Sequence, residues 1–331
     1  MEAYLGVDIS KKTFDVMLLL GKGKHKKFPN TQAGCEELSV WLTRFGVTHV
    51  HACMEATSRY WRRLAEYLHF VGHKVSVVNP SRVWGFRKSE TLGRMKTDKL
   101  DAGVIARFCE ALKPEAWQPP LPEIQALKDM VTYAAHIQEQ IVAEKNRQHV
   151  GALALQTAAA IERHIRFLEG NLEQLRNDMQ LLIKKHAHLR QKVKLLVSIP
   201  GIGKETAAVI IGEVFAAGEF KSERGVACYA GLSPKHGTSG TSVNRHSRLT
   251  KIGNKRLRKA LYFPAICIWR DRSLFPEFIE EMVRRGKHKM VIIGAIMRKL
   301  LCLCYKILKT EREYNPNYLR PINTTRRIKA A

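Results

Sequence analysis

Two short apolar runs near the start of the chain each close on a carboxylate: Tyr4 to Asp8, and Thr48 to Met54 followed by Glu55. Runs of this length, bounded by polar signals, read as buried strands. An acid at the end of a buried strand must meet water or a cation, because an unpaired carboxylate is costly to bury. What lies around the two runs fixes their partners. Thr13 to Leu20 is β-branched and aliphatic, Gly21-Lys22-Gly23-Lys24 is a turn, and Lys26 to Phe28 forms a third short strand, so the start reads as an antiparallel meander. A helix follows from Thr31 through Leu38, Trp41 and Leu42 to Phe45, stopped by Gly46. Beyond Glu55, Ser58 to Val71 is amphipathic and closed by Gly72, and Lys74 to Val78 is a strand ended by Asn79-Pro80. Helical segments come next, among them Lys96-Thr97-Asp98-Lys99-Leu100-Asp101-Ala102 with the apolar run Gly103 to Cys109 behind it.

The resulting order β-β-β-α-β-α-β-α is that of a ribonuclease-H-like α/β fold. Asp98 and Asp101 stand three apart and share one face of their helix. Singly, each has an ordinary explanation, since aspartate suits a helix N-terminus and Lys99 offsets part of its charge. Together with Asp8 and Glu55 they make four carboxylates converging from three elements, which repel one another unless cations intervene. Magnesium, with manganese as a substitute, takes carboxylate and phosphate oxygens in the required geometry and supports displacement at phosphorus.

Charge points to the partner. Lysine and arginine number 56 against 30 acids, a formal net charge of +26 over 331 residues, which is the balance of a chain that meets a polyanion. No apolar run approaches the roughly 20 residues of a bilayer span, and Met1 to Lys12 has neither a basic leader nor a hydrophobic signal core, so the expectation is a cytoplasmic protein. The seven cysteines, Cys35, Cys53, Cys109, Cys228, Cys267, Cys302 and Cys304, are odd in number and never spaced as a zinc site.

Pro114, Pro119, Pro120 and Pro122 mark a break, after which Gly and Pro are rare. Ile161, Ile165, Leu168, Leu172, Leu175, Met179, Leu182, His186, Leu189, Val193 and Leu196 recur at steps of four and three, a heptad seam of about five repeats. Leu127, Met130, Ala134, Ile137 and Ile141 stripe the preceding helix, so the expected unit is a long antiparallel coiled-coil hairpin. His186, the one polar seam residue, reads as a register-setting or partly exposed core position rather than a metal ligand, no second ligand lying near it in sequence. Ser198-Ile199-Pro200-Gly201-Ile202-Gly203-Lys204 then looks like the turn of a helix-hairpin-helix motif, in which Gly201, Gly203 and Lys204 let backbone N–H groups approach a phosphate; an ordinary tight turn between helices is the plainer reading. Gly237 to Ser242 reads as a flexible hydroxyl-rich loop, followed by Arg245, Arg248, Lys251 and Arg256. A serine beside many arginines suits attack on phosphorus, since guanidinium groups stabilise the added charge; the same arginines also suit plain phosphate positioning. Composition alone does not choose between Ser239 and Ser242. The tail, with Arg320, Arg326, Arg327 and Lys329, reads as disordered without nucleic acid.

Gly6-Val7-Asp8-Ile9-Ser10-Lys11, Met54-Glu55-Ala56-Thr57, Lys96 to Ala102, Ile199-Pro200-Gly201-Ile202-Gly203 and Ala230-Gly231-Leu232-Ser233-Pro234 through Ser239-Gly240 resemble, in order and spacing, a family of bacterial insertion-sequence transposases. The resemblance covers almost the whole chain. It implies an Asp-Glu-Asp-Asp domain like that of the Holliday-junction resolvase (RuvC-like) over residues 1–118, a coiled-coil linker and dimerisation region over 119–195, and a mainly helical serine transposase domain with a basic tail over 196–331. By the same resemblance Asp8, Glu55, Asp98 and Asp101 match the metal-binding acids, and Ser239 matches the nucleophile. It further implies a recombinase guided by a structured non-coding bridge (seek) RNA that pairs with donor and target DNA. The family assembles as a dimer of dimers, with acids and serine contributed by different protomers, acting at the nucleoid.

Two rival readings fit the residues. A structure-selective endonuclease would use the acids with water and leave the serine idle. A non-catalytic nucleic-acid-binding protein would need only the charge and the coiled coil.

Overall fold

The computed structural model describes residues 3–57, 59–90, 98–149, 151, 154–218, 220–239 and 243–316. Two compact units divide the chain, Met1–Pro119 and Pro120–Ala331.

The first unit begins with β1 (Ala3–Ile9), β2 (Thr13–Leu19) and β3 (Lys24–Pro29), an antiparallel meander as read from the sequence. Then come α1 (Gln32–Thr43), β4 (Val50–Glu55), α2 (Arg62–Phe70), β5 (Lys74–Val78), α3 (Pro80–Glu90) and α4 (Asp98–Leu112). Strand order is β3-β2-β1-β4-β5, with β4 parallel to both β1 and β5. This mixed sheet carries the element order expected of a ribonuclease-H-like domain. Thr31 caps α1, its hydroxyl accepting from Gly34 N at 3.2 Å. The second helix starts at Arg62, later than the amphipathic pattern from Ser58 implied; Ser58 itself lies outside the described residues.

Period-two alternation sorts the strands onto two faces. Leu5, Val7, Val16, Leu18 and Met54 pack with Leu38, Trp41, Leu64 and Leu68 of α1 and α2. Tyr4 and Cys53 pack on the opposite face with Val104, Ile105, Phe108 and Cys109 of α4. The approach of α4 is close because residue 6 is glycine: a Cβ there would stand 2.1 Å from Ala102 O and 2.2 Å from Ala106 N. Cys109 Sγ donates to His51 O at 3.5 Å, and His51 pairs with Tyr4 near the start of β1. The C-terminal part of α4 therefore lies over the strand beginnings, and its first turn over the strand ends. Ser76, buried, accepts or donates at His51 Nε2 (2.8 Å) and donates to Glu115 O (2.7 Å), fastening the segment after α4 to β5.

The second unit is helical: α5 (Pro122–His149), α6 (Leu155–Lys185), α7 (Ala187–Val197), α8 (Lys204–Phe215), α9 (Glu223–Tyr229), the strands β6 (Pro234–Ser239) and β7 (Val243–Leu249), α10 (Lys255–Asp271), α11 (Pro276–Arg284) and α12 (Lys289–Thr310). The first two form a helical hairpin, with Ile137 and Ile141 packed against Leu168 and Leu172. Their bases join one large core with Leu196, Ile211, Leu257, Leu261, Ile296 and Leu300, so the hairpin falls within the second unit. The heptad seam is not one continuous helix. His186 is extended (φ −107°, ψ 114°) and separates α6 from α7, which stops the stripe short of Leu189. A second difference concerns residues 234–249. The hydroxyl-rich stretch from Gly237 pairs as β6 with β7 rather than looping, Gly237 opposite Arg245 and Ser239 opposite Val243. A two-stranded hairpin is marginal by itself; here Leu249 at its base packs on the main core. The tail residues 317–331 lie outside the described residues.

Gly6→Ala should separate α4 from β1. Overpacking of a tight contact costs roughly 1–3 kcal/mol, so the free energy of unfolding should fall by about that much and the thermal and urea midpoints should drop with it; an unchanged midpoint would contradict the close approach.

Candidate active site

Parallel pairing sets Val7 level with Met54, so the next residues, Asp8 and Glu55, finish adjacent strands at the same height. Alternation places both on the face that α4 covers, since Tyr4, Gly6 and Cys53 of the same parity meet that helix. The first turn of α4 brings Asp98 and Asp101 to this edge. Asp8, Glu55 and Asp101 are half-buried, whereas the Asp98 side chain is 65% exposed.

A further acid belongs here. Asp15 of β2 stands directly opposite Asp8 in the antiparallel register and is 4% exposed. It is bracketed by His25 Nε2 at 2.9 Å and Lys27 Nζ at 3.2 Å, both from β3. Lys27 also reaches Asp98 Oδ2 at 3.2 Å, tying the sheet to the first turn of α4. These two carboxylates, Asp15 first, hold the Lys27 ammonium above the ordinary lysine range. On the other side, the Arg87 guanidinium of α3 donates to Asp101 Oδ1. Thus Asp98 and Asp101 are both engaged by cations of the protein itself. Among the described residues, no three of Asp8, Asp15, Glu55, Asp98 and Asp101 bring carboxylate oxygens within 4.8 Å of one another. The arrangement is an open, splayed set of hard oxygen donors, suited to magnesium or manganese rather than to a thiophilic metal.

In the second unit, Ser239 ends β6 at the tip of the hairpin. Ser242 lies outside the described residues. Arg245 and Arg248 lie on β7, opposite Gly237 and Lys235. Lys251 is exposed on the segment beyond. Arg256 is different: its guanidinium donates to the fully buried Glu213, which also accepts from Asn254 Nδ2 at 2.6 Å. Asn254 in turn caps α10. Arg256 thereby holds the start of α10 in place, with its charge already matched. Gly201 takes φ +86°, and Gly203 precedes α8 with open space where a Cβ would stand. Ile199 and Ile202 are buried between, while Gly201, Gly203 and Lys204 are exposed. The start of α8 is therefore exposed, with a lysine in its first turn.

Sequence reasoning missed Asp15, Lys27 and Arg87. An acid inside the apolar run Thr13 to Leu20 was the available signal for Asp15; the two cations are recognisable only through register and helix placement.

Residues 5–153 match the DEDD-type IS110 family model described as a transposase, and residues 193–280 match the model described as the IS116/IS110/IS902 transposase family. The pilin gene-inverting proteins of Moraxella bovis and Moraxella lacunata are each 34% identical over 318 residues, covering 95% of this chain and 98% of theirs. A putative transposase of Sinorhizobium fredii is 23% identical over 359 residues, covering 94% and 90%. Among the described residues no helix is long and apolar enough to cross a membrane.

The paired cations give a test of the acidic cluster. Arg87→Ala leaves Asp101 without its partner, a loss of roughly 1–3 kcal/mol for a hydrogen bond to a charged group. Stability in magnesium-free buffer should fall, and the rise in unfolding temperature on adding magnesium should be larger than for the wild type. An equal or smaller rise would contradict cation relief at this edge.

Proposed function

Because the chain belongs to the IS110 family of transposases, we propose that it exchanges DNA strands by transesterification, with Asp8, Glu55, Asp98 and Asp101 as the metal-binding acids and Ser239 as the nucleophile. What supports this reading is that β1, β4 and the first turn of α4 carry these four acids towards one sheet edge, as an open set, in a chain of net charge +26. Magnesium bound there would polarise a scissile phosphate and steady a leaving 3′ oxygen. The chain's residues do the rest. The Ser239 hydroxyl attacks phosphorus, the P–O3′ bond breaks, and the freed 3′ oxygen takes up a proton. The phosphoserine ester retains the bond energy, so a second 3′ hydroxyl can attack it, forming a new P–O3′ bond as the P–Oγ bond breaks and the serine oxygen takes back a proton. No outside energy source is required.

The proposed acids belong to one unit and the proposed serine to the other, and in this reading they come from different protomers of a dimer or tetramer. The relatives named as pilin gene-inverting proteins favour strand exchange over simple cutting. Donor and target duplexes, and a structured guide RNA, are the polyanions for which the basic surface is suited. Gly201, Gly203, Lys204, Arg245, Arg248 and Lys251 are the proposed phosphate contacts. Arg256 serves them from its ion pair with Glu213. Binding of this kind weakens steeply with salt, the logarithmic slope being about 0.9 per phosphate neutralised on a duplex.

Trapping on DNA carrying the joined sites, with RNA copurified from the host, tests the chemistry. Ser239→Ala should abolish a covalent protein–DNA adduct, and Asp98→Asn should slow its formation by roughly 10²-fold or more. Cleavage that survives Ser239→Ala would assign attack to water and make the protein an endonuclease. Full activity of Asp98→Asn would remove the acids from catalysis.

A further inference from the structure

A second group of ligand-type side chains lies in the helical unit. Glu123 is in the first turn of α5, His186 forms the extended joint between α6 and α7, and His188 is in the first turn of α7. Their ligand atoms all lie within 4.8 Å of one another. His188 Nε2 stands 3.1 Å from Glu123 Oε1, and His186 Nδ1 stands 3.9 Å from the same oxygen. The two imidazole rings are 5.9 Å apart and steeply inclined. All three residues are half-buried, with Glu123 the least exposed at 15% of its side chain.

An ion-paired clamp without metal would account for proximity alone. It does not account for His188 Nε2, which is cut off from water and makes no hydrogen bond despite its 3.1 Å approach to a carboxylate oxygen. At that distance the N–H direction of Nε2 is not aimed at the oxygen. The spacing also has the right scale. Ligands about 2.0–2.1 Å from a tetrahedral zinc are roughly 3.3 Å apart along an edge, between the two distances found here. His186 is free to aim inward, since as the residue preceding α7 it makes no side-chain cap bond.

We propose that Glu123, His186 and His188 bind a divalent transition ion of the zinc class. Imidazole nitrogen with one carboxylate suits zinc, cobalt or nickel, whereas magnesium takes oxygen alone. Three protein ligands leave a fourth position for water or an outside group. The ion fastens the start of α5 to the α6–α7 joint, the place where the long helical hairpin meets the core of this unit. It also gives the break at His186 a function: a helix running straight through would carry this imidazole away from Glu123 and His188. The site is independent of the carboxylates at the edge of the sheet, and His186, read from sequence as a seam residue, becomes a ligand.

The test titrates zinc chloride into the full-length protein in excess magnesium, which saturates the oxygen sites, and follows uptake by calorimetry and unfolding temperature. The expected result is one zinc per chain, a raised unfolding temperature, and binding weakened about 10-fold or more in each of Glu123→Gln, His186→Ala and His188→Ala. Cobalt should show the intense visible bands of a tetrahedral site, lost in Glu123→Gln, which preserves side-chain shape should an alanine variant fail to fold. No uptake above the magnesium background would overturn the proposal. So would uptake unchanged in the three variants, or uptake abolished by Cys228→Ser, the exposed thiol.

Discussion

Repulsion among carboxylates at one sheet edge is the constraint around which the first unit is built. Asp8 and Asp15 face each other across the antiparallel pair, Glu55 finishes the neighbouring strand at the same height, and α4 starts with two more acids above them. Such a set is unstable without positive charge. Lys27 and Arg87 provide part of it from β3 and α3, pairing with Asp15 of β2 and with Asp98 and Asp101 of α4. Among the described residues no three of these carboxylates close on one point, so the edge is open rather than a closed cage. Close packing makes this possible. Only a glycine at position 6 allows α4 to lie close enough for its first turn to reach the strand ends.

The second unit solves a different problem, the placement of a short hairpin that has little core of its own. Leu249 anchors its base, and the segment beyond is held by Glu213, Arg256, Asn254 and Tyr229. Gly253 takes φ +139°, and a Cβ there would stand 2.3 Å from Tyr229 O, so the chain passes where only glycine fits. Buried charge of this kind is tolerated because every partner is present; removing one would strand the other. The result is a hairpin whose first strand ends at Ser239 and whose base packs on the core through Leu249.

Much of the first unit was legible in the sequence because its signals are local. Strand-length apolar runs, the Gly21 to Lys24 turn and the Thr31 start gave the element order, and Asp8 and Glu55 could be read from their places at strand ends. What escaped were relations between distant residues. The role of Asp15 depends on register with Asp8, and Lys27 matters only because β3 folds back beside β2. Gly237 to Ser239 looked like a loop because glycine, serine and threonine disfavour strands in isolation, whereas pairing with Val243 to Leu249 is a nonlocal choice. The heptad stripe concealed the break at His186 because neither Gly nor Pro marks it. Glu123 and His188 carry no sequence motif that joins them, and only the fold of α5 against the α6–α7 joint does so.

The acidic edge of the sheet is the part of this account from which the catalytic proposal follows. Anomalous scattering from manganese in crystals of the protein bound to its DNA measures it most directly. The account requires manganese to lie among Asp8, Glu55, Asp98 and Asp101, with Lys27 or Arg87 displaced from its carboxylate. Manganese bound elsewhere, with Asp98 and Asp101 still held by Lys27 and Arg87, would contradict it.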